Sequence, residues 1–285
     1  MSTGVDSPLK WHGGKSYLAN KIISLMPPRC KNPNNPDPDD PGYIAYVEPY
    51  AGGLSVLLAN DPVGISEVAN DLNGPLTNFW DVMADPVKFE IFNRRMQATP
   101  FSEVEWQRAA ERSAFEGDPI EEAAGFFIHC RQSLSGRMKG FAGISRTRTR
   151  QGQNEQVAAW LSAVEGLPAV HARLKRVLIR NIDGVECIKK EDGKRTLHYV
   201  DCPYVHSTRA TTGEYAHEMT DVQHAELLNT LMDIEGRFLL SGYHSELYDK
   251  YAKNCGWKVH EFQIANHSSS SKQKQRKCEV VWTNY

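Results

Sequence analysis

Short apolar runs that end in a turn or an acid alternate along this chain with stretches of helical spacing. Residues 8–26 place Leu18, Ile22, Ile23 and Met26 on one face of an amphipathic helix behind Gly13-Gly14. Residues 43–59, YIAYVEPYAGGLSVLLA, read as strand, glycine turn and helix. Residues 64–71, GISEVAND, predict a second strand, followed by a helix through Trp80 and Met83. Charged, alanine-rich helical segments cover 101–116 and 119–131, and apolar strands recur at 177–183 and in the run Leu197, Tyr199, Val200 that leads to Asp201 within 199–209. A helix starts near Thr220, residues 237–243 form a buried strand, and 256–285 alternate as two strands joined by a serine-rich basic loop. Strands alternating with helices predict an α/β protein. The Pro-, Asn- and Asp-rich residues 29–42 can only be a loop, read as an exposed surface insertion.

Composition narrows this picture. A chain of 285 residues can bury one large α/β core, or a core plus a smaller inserted module. The net charge of -2 does not advertise nucleic-acid binding, so such contact would need a local basic surface. Residues 131–154 supply one: Arg131, Arg137, Lys139, Arg146, Arg148 and Arg150 stand there with no acidic residue. Interleaved with Phe141 and small residues, they suit phosphate contacts with base readout or stacking, and the other reading is a solvated surface. The same two readings stand for Lys272, Lys274, Arg276 and Lys277. The six cysteines (30, 130, 187, 202, 255, 278) form no Cys-x-x-Cys pair, which argues against both a zinc site and a disulfide framework. The start lacks the apolar core of a signal peptide, and no stretch approaches the roughly 18 apolar residues of a membrane span.

Candidate chemistry gathers where the predicted strands end. Asp201-Cys202-Pro203-Tyr204 puts a carboxylate at the carboxyl end of a buried strand, where open α/β sheets hold ligands. A stiff proline and an aromatic follow. That set suits a flat base: the ring stacks, and the carboxylate and a backbone carbonyl accept hydrogen bonds from an exocyclic amine. It is also compatible with a plain strand-ending turn. The glycine turn at 48–53 brings backbone amides and a helix N-terminus against a ligand, or is an ordinary strand-to-helix connection. Asp71, about 20 residues on, either accepts from ribose hydroxyls or caps the next helix. Lys15 and Trp11 flank Gly13-Gly14, either near a ligand or as a glycine-capped helix with a solvated charge.

Taken together, Lys10-Trp11-His12-Gly13-Gly14-Lys15, Glu48-Pro49-Tyr50-Ala51-Gly52-Gly53, Asp71 and Asp201-Cys202-Pro203-Tyr204 resemble, in order and spacing, the motifs of the Dam-like DNA adenine-N6 methyltransferases. Two departures stand out: Cys202 replaces the second residue of the usual Asp-Pro-Pro-Tyr, and Leu54 replaces the last glycine of the cofactor turn. The resemblance implies a Rossmann-like mixed sheet of about seven strands built from residues 1–84 and 171–285, with a mostly helical target-recognition insert at 85–170. It implies methyl transfer from S-adenosylmethionine to a flipped adenine, without metal. Asp201, Cys202, Pro203 and Tyr204 would be catalytic. Trp11, Lys15, Glu48, Pro49, Tyr50, Gly52, Asp71 and Asp201 would bind the cofactor, the six basic residues from Arg131 to Arg150 would bind double-stranded DNA, and the loop after Tyr204 would border the flipped base. A cognate restriction endonuclease is a candidate partner, no membrane is involved, and the expected location is the cytoplasm of a bacterial or phage-infected cell. Other readings are a methylase of RNA or of a protein amide, and a DNA-binding homologue that has lost catalysis.

Overall fold

The computed structural model describes residues 4–32, 42–112, 117–150, 152–205, 218–265 and 276–285. In chain order the elements are α1 (Ala19–Leu25), β1 (Ala45–Glu48), α2 (Ser55–Ala59), β2 (Ser66–Asn70), α3 (Gly74–Ala84), α4 (Pro86–Gln97), α5 (Glu103–Arg112) and α6 (Pro119–Arg131). There follow β3 (Thr149–Arg150), β4 (Gln153–Asn154), α7 (Glu155–Leu174), β5 (Val177–Arg180), α8 (Gly184–Glu191), β6 (Thr196–Val200), α9 (Asp221–Asp233), β7 (Arg237–Gly242), α10 (Glu246–Cys255), β8 (Lys258–Ala265) and β9 (Arg276–Thr283). The expected mixed sheet is present with seven strands. Contacts divide the chain into one unit of Met1–Ser24, Ala51–Pro62 and Asp71–Asn181, and another of Leu25–Tyr50, Val63–Asn70 and Ile182–Tyr285.

The first unit is mainly helical, and its core is aromatic. Phe79 of α3 stacks on Phe127 of α6 with centroids 5.6 Å apart, and Phe92 and Trp160 close around the pair. Side-chain caps start the helices: Asn73 accepts from the Leu76 amide, Asp118 from Ile120 and Asn154 from Gln156. Asn73, not Asp71, therefore caps α3. Asn154 also brackets Ser145, accepting from its amide and donating to its carbonyl at 2.6 Å, which ties the basic stretch to the start of α7.

The second unit holds the strands β2-β1-β6-β7-β9-β8 in that order. β2, β1, β6 and β7 are parallel; β9 runs antiparallel to both β7 and β8. All of β6 is buried, including the polar Thr196 and His198 that stand among its apolar residues, as befits a strand covered on both faces. Its Val200 shares a buried core with Leu227, Leu231, Phe238, Leu240, Tyr248 and Trp282. Asp183, predicted as the end of a strand, instead caps α8 through the Val185 and Glu186 amides. At its other end, Asp192 accepts from the amides of Glu235 and Gly236 at 2.8 and 3.0 Å, pinning the turn into β7.

Candidate functional site

Strand order sets where the second unit can hold a ligand. From β1 the sheet continues to β2 on one side, and from its neighbour β6 to β7 on the other. The carboxyl ends of β1 and β6 thus flank a switch point, the place where open α/β sheets bind ligands. Glu48-Pro49-Tyr50 leaves β1 there and Asp201-Cys202-Pro203-Tyr204 leaves β6.

Most of these residues are held by named neighbours. Glu48 is 2 % exposed and accepts from the Tyr46 hydroxyl at 2.8 Å. Burial, and then the Glu48 carboxylate, push the Tyr46 phenol well above its usual range, so it stays a donor. Pro49 gives its carbonyl to the Asn70 amide at 2.8 Å, and Asn70 also exchanges hydrogen bonds with the backbone of Ile182. Tyr50 packs against Gly184, where a Cβ would stand 2.3 Å from its Cζ. Tyr204 donates to Glu279 Oε2 at 2.8 Å and lies 3.4 Å from Asp201 Oδ1, with its ring T-shaped against Tyr243. Burial first, then the carboxylates of Asp201 and Glu279, raise its pKa, so the hydroxyl remains protonated. Cys202 is buried with Sγ 3.4 Å from the Tyr248 hydroxyl, which in turn is 2.9 Å from His224 Nδ1. Pro203 is half-buried between them.

The first unit builds a second cluster around the glycine turn. Gly52 has φ +48°, and its N–H donates to Asp71 Oδ2 at 2.9 Å while the other carboxylate oxygen accepts from Asn73 N. Trp80 Nε1 donates to the Gly52 carbonyl at 3.0 Å, and Ser7 donates to that of Gly53. The Trp11 indole lies on the turn so closely that a Cβ at Gly52 would be 2.8 Å from its Nε1, and one at Gly53 2.7 Å from its Cβ. Leu54, where a glycine was expected, takes the left-handed conformation (φ 55°) that glycine adopts freely, and its side chain is fully buried. Lys15 is buried and donates to the Gly13 carbonyl at 2.8 Å. This cradle of close backbone, an indole and a carboxylate fits a nucleoside-bearing cofactor.

The basic residues separate into two kinds. Arg137, Lys139, Arg146, Arg148 and Arg150 are exposed, with Arg148 3.5 Å from Glu155. Arg131 is held at the end of α6, donating to the Ala159 carbonyl at 2.8 Å. Phe141 packs on Phe101 at 4.9 Å between centroids and lies near Trp106, so its ring serves this cluster. The stretch is not all loop: Thr149–Arg150 and Gln153–Asn154 pair as a small hairpin. Lys272 and Lys274, the side chains of Arg276 and Lys277, and the loop at 206–217 lie outside the described residues.

Sequence reasoning missed Glu279, Tyr243, Tyr248, His224 and Asn70. Glu279 alone had a local signal, a charge leading directly into the apolar run Val280-Val281-Trp282 of a predicted strand. A family model described as D12 class N6 adenine-specific DNA methyltransferase matches residues 11–266. No curated protein matches the chain.

Proposed function

Because the chain belongs to the D12 class of N6 adenine-specific DNA methyltransferases, we propose that Asp201, Cys202, Pro203 and Tyr204 are its catalytic residues. The reaction of the family transfers a methyl group from S-adenosylmethionine to the exocyclic nitrogen of adenine in DNA. One observation carries the proposal: at the sheet's switch point the Tyr204 hydroxyl is fixed by Glu279 at 2.8 Å and lies 3.4 Å from Asp201, which places the aromatic and the carboxylate side by side.

In this reading Asp201 Oδ and the carbonyl of Cys202 accept the two protons of the adenine amine, whose lone pair is otherwise delocalised into the ring. Drawn toward tetrahedral geometry, the nitrogen becomes a nucleophile, and the negative end of each acceptor stabilises the charge it gains. Cysteine offers the same carbonyl that proline would. Tyr204 packs against the base once it has left the double helix. Bound S-adenosylmethionine supplies an electrophilic sulfonium methyl. Trp11 and Lys15 would hold it, with the backbone of Glu48, Pro49, Tyr50 and Gly52, and Asp71 would accept from its ribose.

The insert at 85–170 would read double-stranded DNA, with the exposed Arg137, Lys139, Arg146, Arg148 and Arg150 on phosphates and base edges. Arg131 would support that surface from the end of α6. The DNA substrate supports a cytoplasmic location, and among the described residues no helix is long and apolar enough to cross a membrane. A cognate restriction endonuclease enters this proposal through the family resemblance alone. A tritiated-methyl assay on unmethylated DNA tests the reading: Asp201→Ala should abolish transfer while leaving S-adenosylmethionine binding largely intact. Turnover near the wild-type rate in that variant would remove Asp201 from the mechanism.

A further inference from the structure

We propose that Tyr248, backed by His224, is a positioning residue for the catalytic tetrapeptide and does for Cys202 what a pyrrolidine ring does for a proline. The proposal rests on reading Asp201–Tyr204 as catalytic. A proline at position 202 would have φ fixed near -65° by its ring, whereas cysteine leaves that torsion soft. The carbonyl of this residue is the acceptor proposed for the adenine amine, so freedom in its backbone blurs the aim of the lone pair.

The structure supplies an outside restraint in place of the ring. Cys202 is 2 % exposed, and its Sγ lies 3.4 Å from the hydroxyl of Tyr248, which is itself 2.9 Å from His224 Nδ1. The phenol cannot swing away. Its ring meets His224 T-shaped at 5.7 Å and Trp282 at 5.3 Å, and it is buried at 3 % exposure. A hydroxyl donates once and accepts besides, so with either histidine tautomer the Tyr248 oxygen can serve the imidazole and the thiol together. Cys202, Tyr248 and His224 come from the end of β6, from α10 and from α9. A side chain tethered at Sγ has one usable rotamer, and a fixed rotamer narrows the backbone angles that carry it. For packing alone, phenylalanine at 248 would suffice; the hydroxyl is what reaches the thiol.

The test is a double-mutant cycle on the full chain, with kcat and KM for S-adenosylmethionine measured on unmethylated DNA. Tyr248→Phe should lower kcat about fivefold, the effect of one hydrogen bond, and change KM less than about twofold. In the Cys202→Pro background the same substitution should lower kcat less than about twofold, because the ring now supplies the restraint. Equal losses in the two backgrounds would overturn the proposal, as would a loss confined to KM or matched by a loss of folded protein. Should the Cys202→Pro chain not fold, Cys202→Ala takes its place. With the thiol gone the effect of Tyr248→Phe should shrink in the same way, and additive losses would overturn the proposal. Asp201→Ala runs in parallel. Activity there overturns the catalytic reading and this proposal with it, whereas an inactive Asp201→Ala with uncoupled losses at 248 and 202 overturns the positioning role alone.

Discussion

Gly52→Ala is the most discriminating single change, because two separate costs meet at that residue. The first is conformational: Gly52 has φ +48°, and an L-residue there pays about 1–2 kcal/mol. Alanine recovers about 0.4–1 kcal/mol by narrowing the unfolded ensemble, so about 1 kcal/mol remains. The second is steric. The new Cβ would stand 2.8 Å from Trp11 Nε1 and 3.0 Å from its Cδ1, so the indole must move by roughly half an ångström or more to reach ordinary contact. Overpacking of this kind costs about 1–3 kcal/mol. The sum is about 2–4 kcal/mol in urea-monitored unfolding, with roughly tenfold weaker S-adenosylmethionine binding by calorimetry if the displaced indole is a cofactor contact. Gly53→Ala isolates the steric part, because its Cβ would meet Trp11 Cβ at 2.7 Å and φ there is not positive. In the Trp11→Ala background, Gly52→Ala should cost only the conformational share, about 1 kcal/mol. Unchanged stability and cofactor affinity in Gly52→Ala, or the same cost with and without the indole, would refute the reasoning.

Other outcomes follow from the same structure. Replacing Arg137, Arg146 and Arg148 together by alanine should weaken DNA binding and reduce the slope of log K against log salt by up to about 2.7, at about 0.9 per phosphate contact; an unchanged slope would make the stretch a solvated surface. Glu279→Ala should destabilise the second unit by about 1–3 kcal/mol because it takes the 2.8 Å acceptor from the buried Tyr204 hydroxyl, and Tyr204→Phe in the same chain should recover part of that loss in thermal unfolding. Burial works to raise the Asp192 pKa, but the His198 imidazole 3.8 Å away and the amides of Glu235 and Gly236 outweigh it and hold the carboxyl at about 2, below its usual 3.8. Its contribution to stability is therefore complete above about pH 4 and is lost as the pH falls toward 2, so Asp192→Asn should flatten the acid limb of the stability curve over that interval, and an unaltered limb would exclude the effect.

The strands were legible because burial leaves its mark on local sequence. β1 and β7 carry short apolar runs, β2 and β6 set their apolar residues among polar ones, and β8 and β9 alternate as a hairpin does. The helices α4, α7, α8 and α10 passed unread. α8 and α10 are short and mixed in polarity, and their stability comes from caps such as Asp183 and Ser245 and from the sheet they cover. The candidate site was legible only where one stretch of chain carries its own chemistry, as Asp201–Tyr204 and the glycine turn do. Glu279 reaches Tyr204 across 75 residues and Tyr248 reaches Cys202 across 46, and no local pattern encodes a meeting of that kind. Phe141 shows the converse: a ring set among arginines suggested stacking on a base, while Phe101 and Trp106, distant in sequence, take it into their own cluster.

The position of β9 has a consequence for how the enzyme comes into being. This strand is the last in sequence, yet it lies inside the sheet between β7 and β8. During synthesis β7 and β8 therefore have no common neighbour until β9 has followed them, and pairing across such separations is a slow event in folding. Glu279 arrives on that strand, so Tyr204 receives its acceptor in the closing step. Cutting β9 out of the chain should accordingly take away an inner strand of the sheet together with the carboxylate that accepts from the Tyr204 hydroxyl.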